Sequence, residues 1–177
     1  LQVISPEKFN ALFHFDMPVV AESTATILER VFVLGGTLFV SERPCEYVTI
    51  LGSCVSVCLW DRKTGVGGIN HFLMPETVNN ATSLNGGISS TRKLVQLMTL
   101  KSFNIKNLEA KVFGGANRFF EEGSFLHVGM ENVRAALFVL EEAGIPIAVS
   151  DTGGELGRKI YFNTQTGKVR MEKINYR

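Results

Sequence analysis

The sequence predicts an α+β fold in which two main helices cover a face of a mostly antiparallel sheet. Two observations carry that reading. From Val31 onward the chain is mostly short apolar runs cut by Gly, Asp and Asn, the punctuation of strands and turns. Beyond that point only residues 91–103 and 131–143 repeat their apolar side chains at helical spacing.

The elements follow in order. Ser5-Pro6 reads as a helix cap with Pro at the first helical position, and Phe9, Leu12 and Phe13 then share a face. A second helical stretch reads through residues 22–30. Residues 1–30 are therefore an N-terminal helical extension, and residues 31–177 the main domain. Residues 31–34 and 37–40 read as strands around Gly35-Gly36, and residues 47–51 are apolar and β-branched. Residues 54–60 alternate a small face (Cys54, Ser56, Cys58) with an apolar one (Val55, Val57, Leu59), the period of a strand. Residues 61–64 have the composition of a turn. Residues 66–73 read as the returning strand, with Gly67-Gly68 a bulge site. Residues 75–90 are rich in Asn, Ser and Gly and read as a long surface loop. Residues 108–113 form a strand ending at Gly114-Gly115. The second helix stops at Gly144 with Pro146 beyond it. Residues 145–150, 158–162 and 168–173 complete the strands.

Composition narrows the function classes. A length of 177 residues fits one domain, and 45% hydrophobic with 20% charged residues is the balance of a packed chain. Lys and Arg number 18 against 17 Asp and Glu, a formal charge of +1 that argues against nucleic-acid binding through phosphates. No apolar run reaches the roughly 18 residues of a membrane span, so no membrane insertion is expected. The opening LQVISPEKFN lacks the basic start and apolar middle of a secretion signal. Cys45, Cys54 and Cys58 are too few for a disulfide framework and fit a reducing cytoplasm. They give weak support to a metal site.

The chemistry concentrates in Thr49-Ile50-Leu51-Gly52-Ser53-Cys54 and in His71. A hairpin loop at 61–64 pairs Trp60 with Gly65 and, continuing, Cys54 with His71. The two would share a face, with Cβ atoms about 4.5–5.5 Å apart. A loop one residue longer turns His71 to the other face. An imidazole beside a thiol can take its proton, letting the sulfur attack an amide or acyl carbon. It can then return the proton to the leaving amine. The Thr49 hydroxyl is a candidate to orient the ring. Gly52 lets the chain bend, and N–H groups at Gly52 and Ser53 are candidates to hold an oxyanion or position substrate. The competing reading makes Cys54 an ordinary core cysteine, and on these residues alone both readings stand. Cys58 reads as core, Cys45 as incidental in a loop, His14 as a helix-face residue and His127 as partly exposed. Arg158 and Lys159 read as a solvated strand end, with a face for an acidic partner as the alternative. Phe113-Gly114-Gly115-Ala116 reads as a tightly packed turn and not a phosphate loop, because no Gly-Lys-Ser/Thr follows.

Residues 31–76, together with KVFGGAN (111–117), VGMENV (128–133) and IPIAVSDTGGELGRKIYFNTQTGKV (145–169), resemble the chemoreceptor glutamine deamidase CheD family. The most specific part is LGSCV with His71, within NHFLMP, seventeen residues after Cys54. The resemblance implies a layered α/β sandwich with Cys54 as nucleophile, His71 as general base and Thr49 as supporting residue. It implies hydrolysis of glutamine side-chain amides on methyl-accepting chemotaxis receptors, through a thioester and with release of ammonia. No metal or organic cofactor is expected, and a CheC-type phosphatase is an implied partner. The chain departs from the family at Glu131, where an Arg often precedes the Asn, and at Thr91-Arg92-Lys93-Leu94, where an Arg-Tyr-Gly-type segment is usual. Two alternatives stand beside the deamidase: a non-catalytic adaptor of the same fold that binds receptors or a phosphatase, and a general cysteine hydrolase or peptidase.

Overall fold

The computed structural model describes residues 28–76, 83–102, 104–117 and 128–175. Their strands are β1 (Glu29–Phe32), β2 (Thr37–Ser41), β3 (Cys45–Leu51), β4 (Val55–Asp61), β5 (Gly67–His71), β6 (Leu108–Gly114), β7 (Ile147–Thr152), β8 (Gly157–Asn163) and β9 (Val169–Ile174). Two α-helices, α1 (Gly87–Ser102) and α2 (Val128–Glu142), and a short 3-10 turn at Ile105–Asn107 complete the described elements.

The strands form two sheets, ordered β1-β3-β8-β9 and β2-β5-β4-β6-β7. Both are mixed, since β1 runs parallel to β3 and β6 parallel to β7, while the other ladders are antiparallel. One core lies between the sheets, where Val33, Tyr47, Leu51, Ile160 and Phe162 meet Cys58, Ile69 and Phe113. A second lies under the helices, where Val55, Val57, Leu59 and Phe72 meet Leu94, Met98, Ala136 and Leu140, and a smaller cluster of Phe32, Val48 and Tyr161 lies on the first sheet. The alternation read in residues 54–60 thus serves two cores, one on each face of β4. The result is a layered sandwich of sheet, sheet and helices.

Strands β1 and β2 follow one another in sequence but belong to different sheets. The crossing is pinned at both ends: Val33 N–H donates to Val48 O at 2.8 Å in the first sheet, and Gly36 N–H donates to His71 O at 2.7 Å in the second. The carbonyl of Val33 is thereby carried into the space between the sheets.

The β4–β5 hairpin corrects the expected register. Its loop has four residues, but they are 62–65, because Asp61 N–H donates to Val66 O at 2.9 Å and extends the ladder by one step. Asp61 also feeds the turn: its Oδ1 accepts from the N–H groups of Lys63 (2.7 Å) and Thr64 (3.2 Å). Gly65, at φ +75°, supplies the left-handed residue that closes the loop. Trp60 therefore pairs with Gly67 and Cys58 with Ile69. The faces are unchanged, but each partner moves by two, which puts Ser56 opposite His71 and leaves Cys54 diagonal to it. The expected bulge at Gly67-Gly68 is absent, since pairing runs through both residues. Close packing explains the glycines: a Cβ at Gly67 would lie 2.5 Å from Thr164 Cγ2, and one at Gly68 2.9 Å from Leu94 and Met98.

Other expectations need correction. Helix α1 begins at Gly87, inside the stretch read as loop. Its first N–H groups find partners in the preceding chain, with Gly87 donating to Met74 O, Ile88 to Pro75 O and Ser89 to the Glu76 carboxylate. This satisfies donors that a helix start otherwise leaves open. Glu29 and Arg30, read as helical, belong to β1. The other N-terminal helix assignments, with His14 and His127, lie outside the described residues. Cys45 is buried at the start of β3 and not incidental in a loop. Arg158 and Lys159 are buried rather than solvated. The Arg158 guanidinium is held by Asp151 Oδ1 (2.9 Å) and by the carbonyls of Gly153 (2.6 Å) and Leu156 (2.8 Å).

Candidate active site

Thr49 lies in β3 of the first sheet and His71 at the end of β5 of the second, both buried. Their side chains meet across the gap, with Thr49 Oγ1 2.9 Å from His71 Nδ1. The Thr49 hydroxyl also contacts the Val33 carbonyl at 2.6 Å, where it must donate. Its proton is thus committed, and the oxygen accepts from the ring. That fixes the Nδ1–H tautomer and leaves a lone pair on Nε2. Nε2 is buried and has no hydrogen-bond partner among the described residues. The Cys54 thiol is not bonded to it.

Cys54 sits just before β4, half-buried, packed against the core between the sheets. Cys45 and Cys58 are buried, so Cys54 is the most accessible of the three free thiols. Burial pushes the Cys54 thiol above its ordinary value, against the pull of its own backbone N–H. Burial pushes His71 down to about 4, while the Val33 carbonyl pulls it the other way. The resting pair is therefore a neutral thiol and a neutral imidazole, in place of the preformed ion pair that a low-pKa cysteine would require. Cys58, deeper in the same core, is pushed up to about 12 by burial.

The chain around Cys54 is tightly braced. Gly115 N–H donates to Cys54 O and Ala116 N–H to Gly52 O, both at 2.8 Å. At Gly114, φ is +112° and a Cβ would lie 2.2 Å from Cys54 O, so only glycine fits there. The glycine turn is thus a packing device beneath the thiol. Gly52 is different, because a Cβ there would meet nothing within 4 Å. Ser53 is exposed. The two flank open space next to Cys54, and Gly52 has no positive φ that demands glycine.

Sequence reasoning missed two asparagines. Asn70 Oδ1 accepts from Val57 N–H at 2.8 Å, and its Nδ2 donates to Ser90 and Thr91 on α1, each at 3.2 Å. Asn132, buried in α2, donates from Nδ2 to Ser53 O (2.9 Å) and Leu73 O (3.1 Å). The available signal was the placement of Asn70 beside His71 and of Asn132 within VGMENV. Among the described residues no cluster of three or more His, Cys, Asp or Glu is arranged to hold a metal ion. No helix among them is long and apolar enough to cross a membrane.

The family model described as CheD chemotactic sensory transduction matches residues 75–173. A relative from Trichlorobacter lovleyi, named "Probable chemoreceptor glutamine deamidase CheD", is 39% identical over 85% of this chain and 94% of its own length. One from Anaeromyxobacter dehalogenans, named "Probable chemoreceptor glutamine deamidase CheD 1", is 40% identical over 82% of this chain and 85% of its own. Among solved structures, YlmD from Geobacillus stearothermophilus is 13% identical over 66% of this chain and 50% of that one. Its TM-score is 0.47. The class that the relatives' names define is that of hydrolases acting on amide bonds. The chain belongs to the CheD family of chemotactic sensory transduction.

Proposed function

We propose that this chain is a protein-glutamine deamidase acting on methyl-accepting chemotaxis receptors, with Cys54 as nucleophile, His71 as general base and Thr49 as the group that orients the ring. The observation that carries the reading is the Thr49–His71 hydrogen bond at 2.9 Å, which leaves a buried, unpartnered Nε2 in the layer that Cys54 faces. The names of the relatives supply the substrate. Because both groups are neutral at rest, proton transfer accompanies attack. Nε2 takes the thiol proton as sulfur adds to the carboxamide carbon, and the imidazolium then protonates the departing nitrogen. Ammonia leaves and a thioester remains. Nε2 next deprotonates a water, which adds to the thioester carbon. Collapse expels the cysteine sulfur, which recovers a proton, and frees the glutamate. Open space at Gly52 and Ser53 gives the substrate carboxamide room beside the sulfur. Three free cysteines fit a cytoplasmic setting.

Mass spectrometry of a receptor cytoplasmic fragment incubated with the protein should show a gain of about one mass unit per converted glutamine, the difference between OH and NH₂ in the acyl-transfer product. Cys54→Ala should abolish the gain. An unchanged gain from Cys54→Ala would remove Cys54 from the mechanism.

The adaptor reading draws on a different observation, the absence of a bond between the Cys54 sulfur and Nε2. It requires that Cys54→Ala restore chemotaxis fully in a deletion strain. A CheC-type phosphatase belongs to either reading as a binding partner, and co-elution of the two purified proteins tests it.

A further inference from the structure

We propose that Asn132 is a positioning residue that sets the spacing between the segments carrying Cys54 and His71; this rests on the deamidase reading of the same site. The β4–β5 hairpin ends in one last rung. Val55 and Phe72 exchange two main-chain hydrogen bonds, Val55 N–H to Phe72 O at 3.2 Å and Phe72 N–H to Val55 O at 3.0 Å. Continued in register, the next such exchange would join Ser53 and Met74. It does not form, because the N–H groups of Leu73 and Met74 both turn to Asn85 O, at 3.0 and 3.1 Å. The two segments part at the point where Cys54 sits, one residue before Val55.

The gap is filled by one carboxamide. Asn132 spends both Nδ2 hydrogens on carbonyls from opposite sides of the parting, Ser53 O and Leu73 O. Ser53 adjoins Cys54, and Leu73 stands two residues after His71. Asn132 is fully buried, and among the described residues its Oδ1 has no partner, so the two Nδ2 contacts are the hydrogen bonds its side chain makes there. A side chain from α2 thus stands in for a missing rung and fixes how far apart the thiol and imidazole segments lie. The residue touches neither reacting atom. Its effect would reach the chemistry through geometry, where a small misplacement lowers turnover more than binding.

The test compares wild type, Asn132→Ala and Asn132→Asp, each with its thermal unfolding recorded. In Asn132→Ala, kcat for receptor deamidation should fall about ten- to a hundredfold with KM within about threefold. The iodoacetamide rate at Cys54 should change by more than about threefold, while Cys45 and Cys58 stay protected. Asn132→Asp keeps the shape and loses both donors, but its carboxyl regains one when protonated. Its activity should therefore rise as pH falls, where wild type is level. A kcat within twofold of wild type in folded Asn132→Ala would overturn the proposal. So would loss of activity in step with labelling of Cys45 and Cys58, or an Asn132→Asp profile parallel to wild type. If wild type fails to deamidate the receptor while Asn132→Ala still alters Cys54 labelling, the deamidase reading fails and the spacing role stands.

Discussion

Thr49 and His71 hydrogen-bond to each other from different sheets, so the orientation of the ring depends on how the two layers dock. The hydroxyl has two duties there, donating to Val33 O and accepting from Nδ1. Thr49→Val removes both and leaves the shape nearly intact. It should lower kcat about ten- to a hundredfold, through loss of the ring's held tautomer and orientation. Thr49→Ser should restore most of it. Steady-state kinetics of the pair check this, and equal activity in Thr49→Val and wild type would remove Thr49 from the mechanism.

The pH dependence follows from His71. Its imidazole titrates near 6.5 in an unfolded chain and is pushed down to about 4 in the fold. Between those values the unfolded state binds the extra proton, so stability rises with pH across the window. The contribution is complete above about pH 6.5 and is lost progressively as pH falls towards 4, an effect of about 3 kcal/mol. Urea titrations at pH 7 and pH 4.5 should show the loss, and His71→Gln should shrink it. If His71 is the base proposed above, activity should keep a level acid side down to about pH 5, since its imidazole remains neutral there.

Alkylation should separate the thiols by access and not by acidity. Cys54 is half-buried and the other two are closed off. Iodoacetamide should label Cys54 first, with a rate still climbing above about pH 8.5, because burial raises this thiol above its ordinary value. A rate that levels off near neutral pH would indicate a preformed thiolate–imidazolium pair instead.

Two glycine substitutions should behave oppositely. Gly114→Ala drives a Cβ into Cys54 O at a positive φ, so it should destabilise by about 2–4 kcal/mol and impair activity as well. Gly52→Ala meets no atom, and should leave thermal unfolding within a few degrees of wild type. Its added methyl enters the space proposed for substrate, so KM should rise. Thermal melts and kinetics on the two variants distinguish packing from access.

Much of the fold was legible from sequence because local pattern and packing agree. In β4, alternation is enforced by a core on each face, and α2 ends where Gly144 and Pro146 require. Legibility failed where a distant partner decides. Asp61 has the composition of a turn residue, yet its backbone belongs to the ladder while its side chain serves the loop. That single step displaced the Cys54–His71 pairing from opposite to diagonal. The start of α1 depends on carbonyls at Met74 and Pro75, which no helix propensity records. Arg158 reads as surface until Asp151 and two carbonyls enclose it. The parallel β1–β3 and β6–β7 ladders join strands that no hairpin links. At the site, residue types at 49, 54 and 71 were legible, but the tautomer depends on Val33, which offers only a backbone oxygen.

The crossing from β1 to β2 ties the state of the imidazole to one short segment of main chain. With that crossing displaced, Thr49, Cys54 and His71 would all still be present, but the carbonyl that commits the Thr49 proton would be withdrawn, and with it the tautomer that the proposed base requires. Under the proposed mechanism, side chains alone would then not secure turnover, because a backbone oxygen at a residue with no functional group of its own sets where the ring carries its proton.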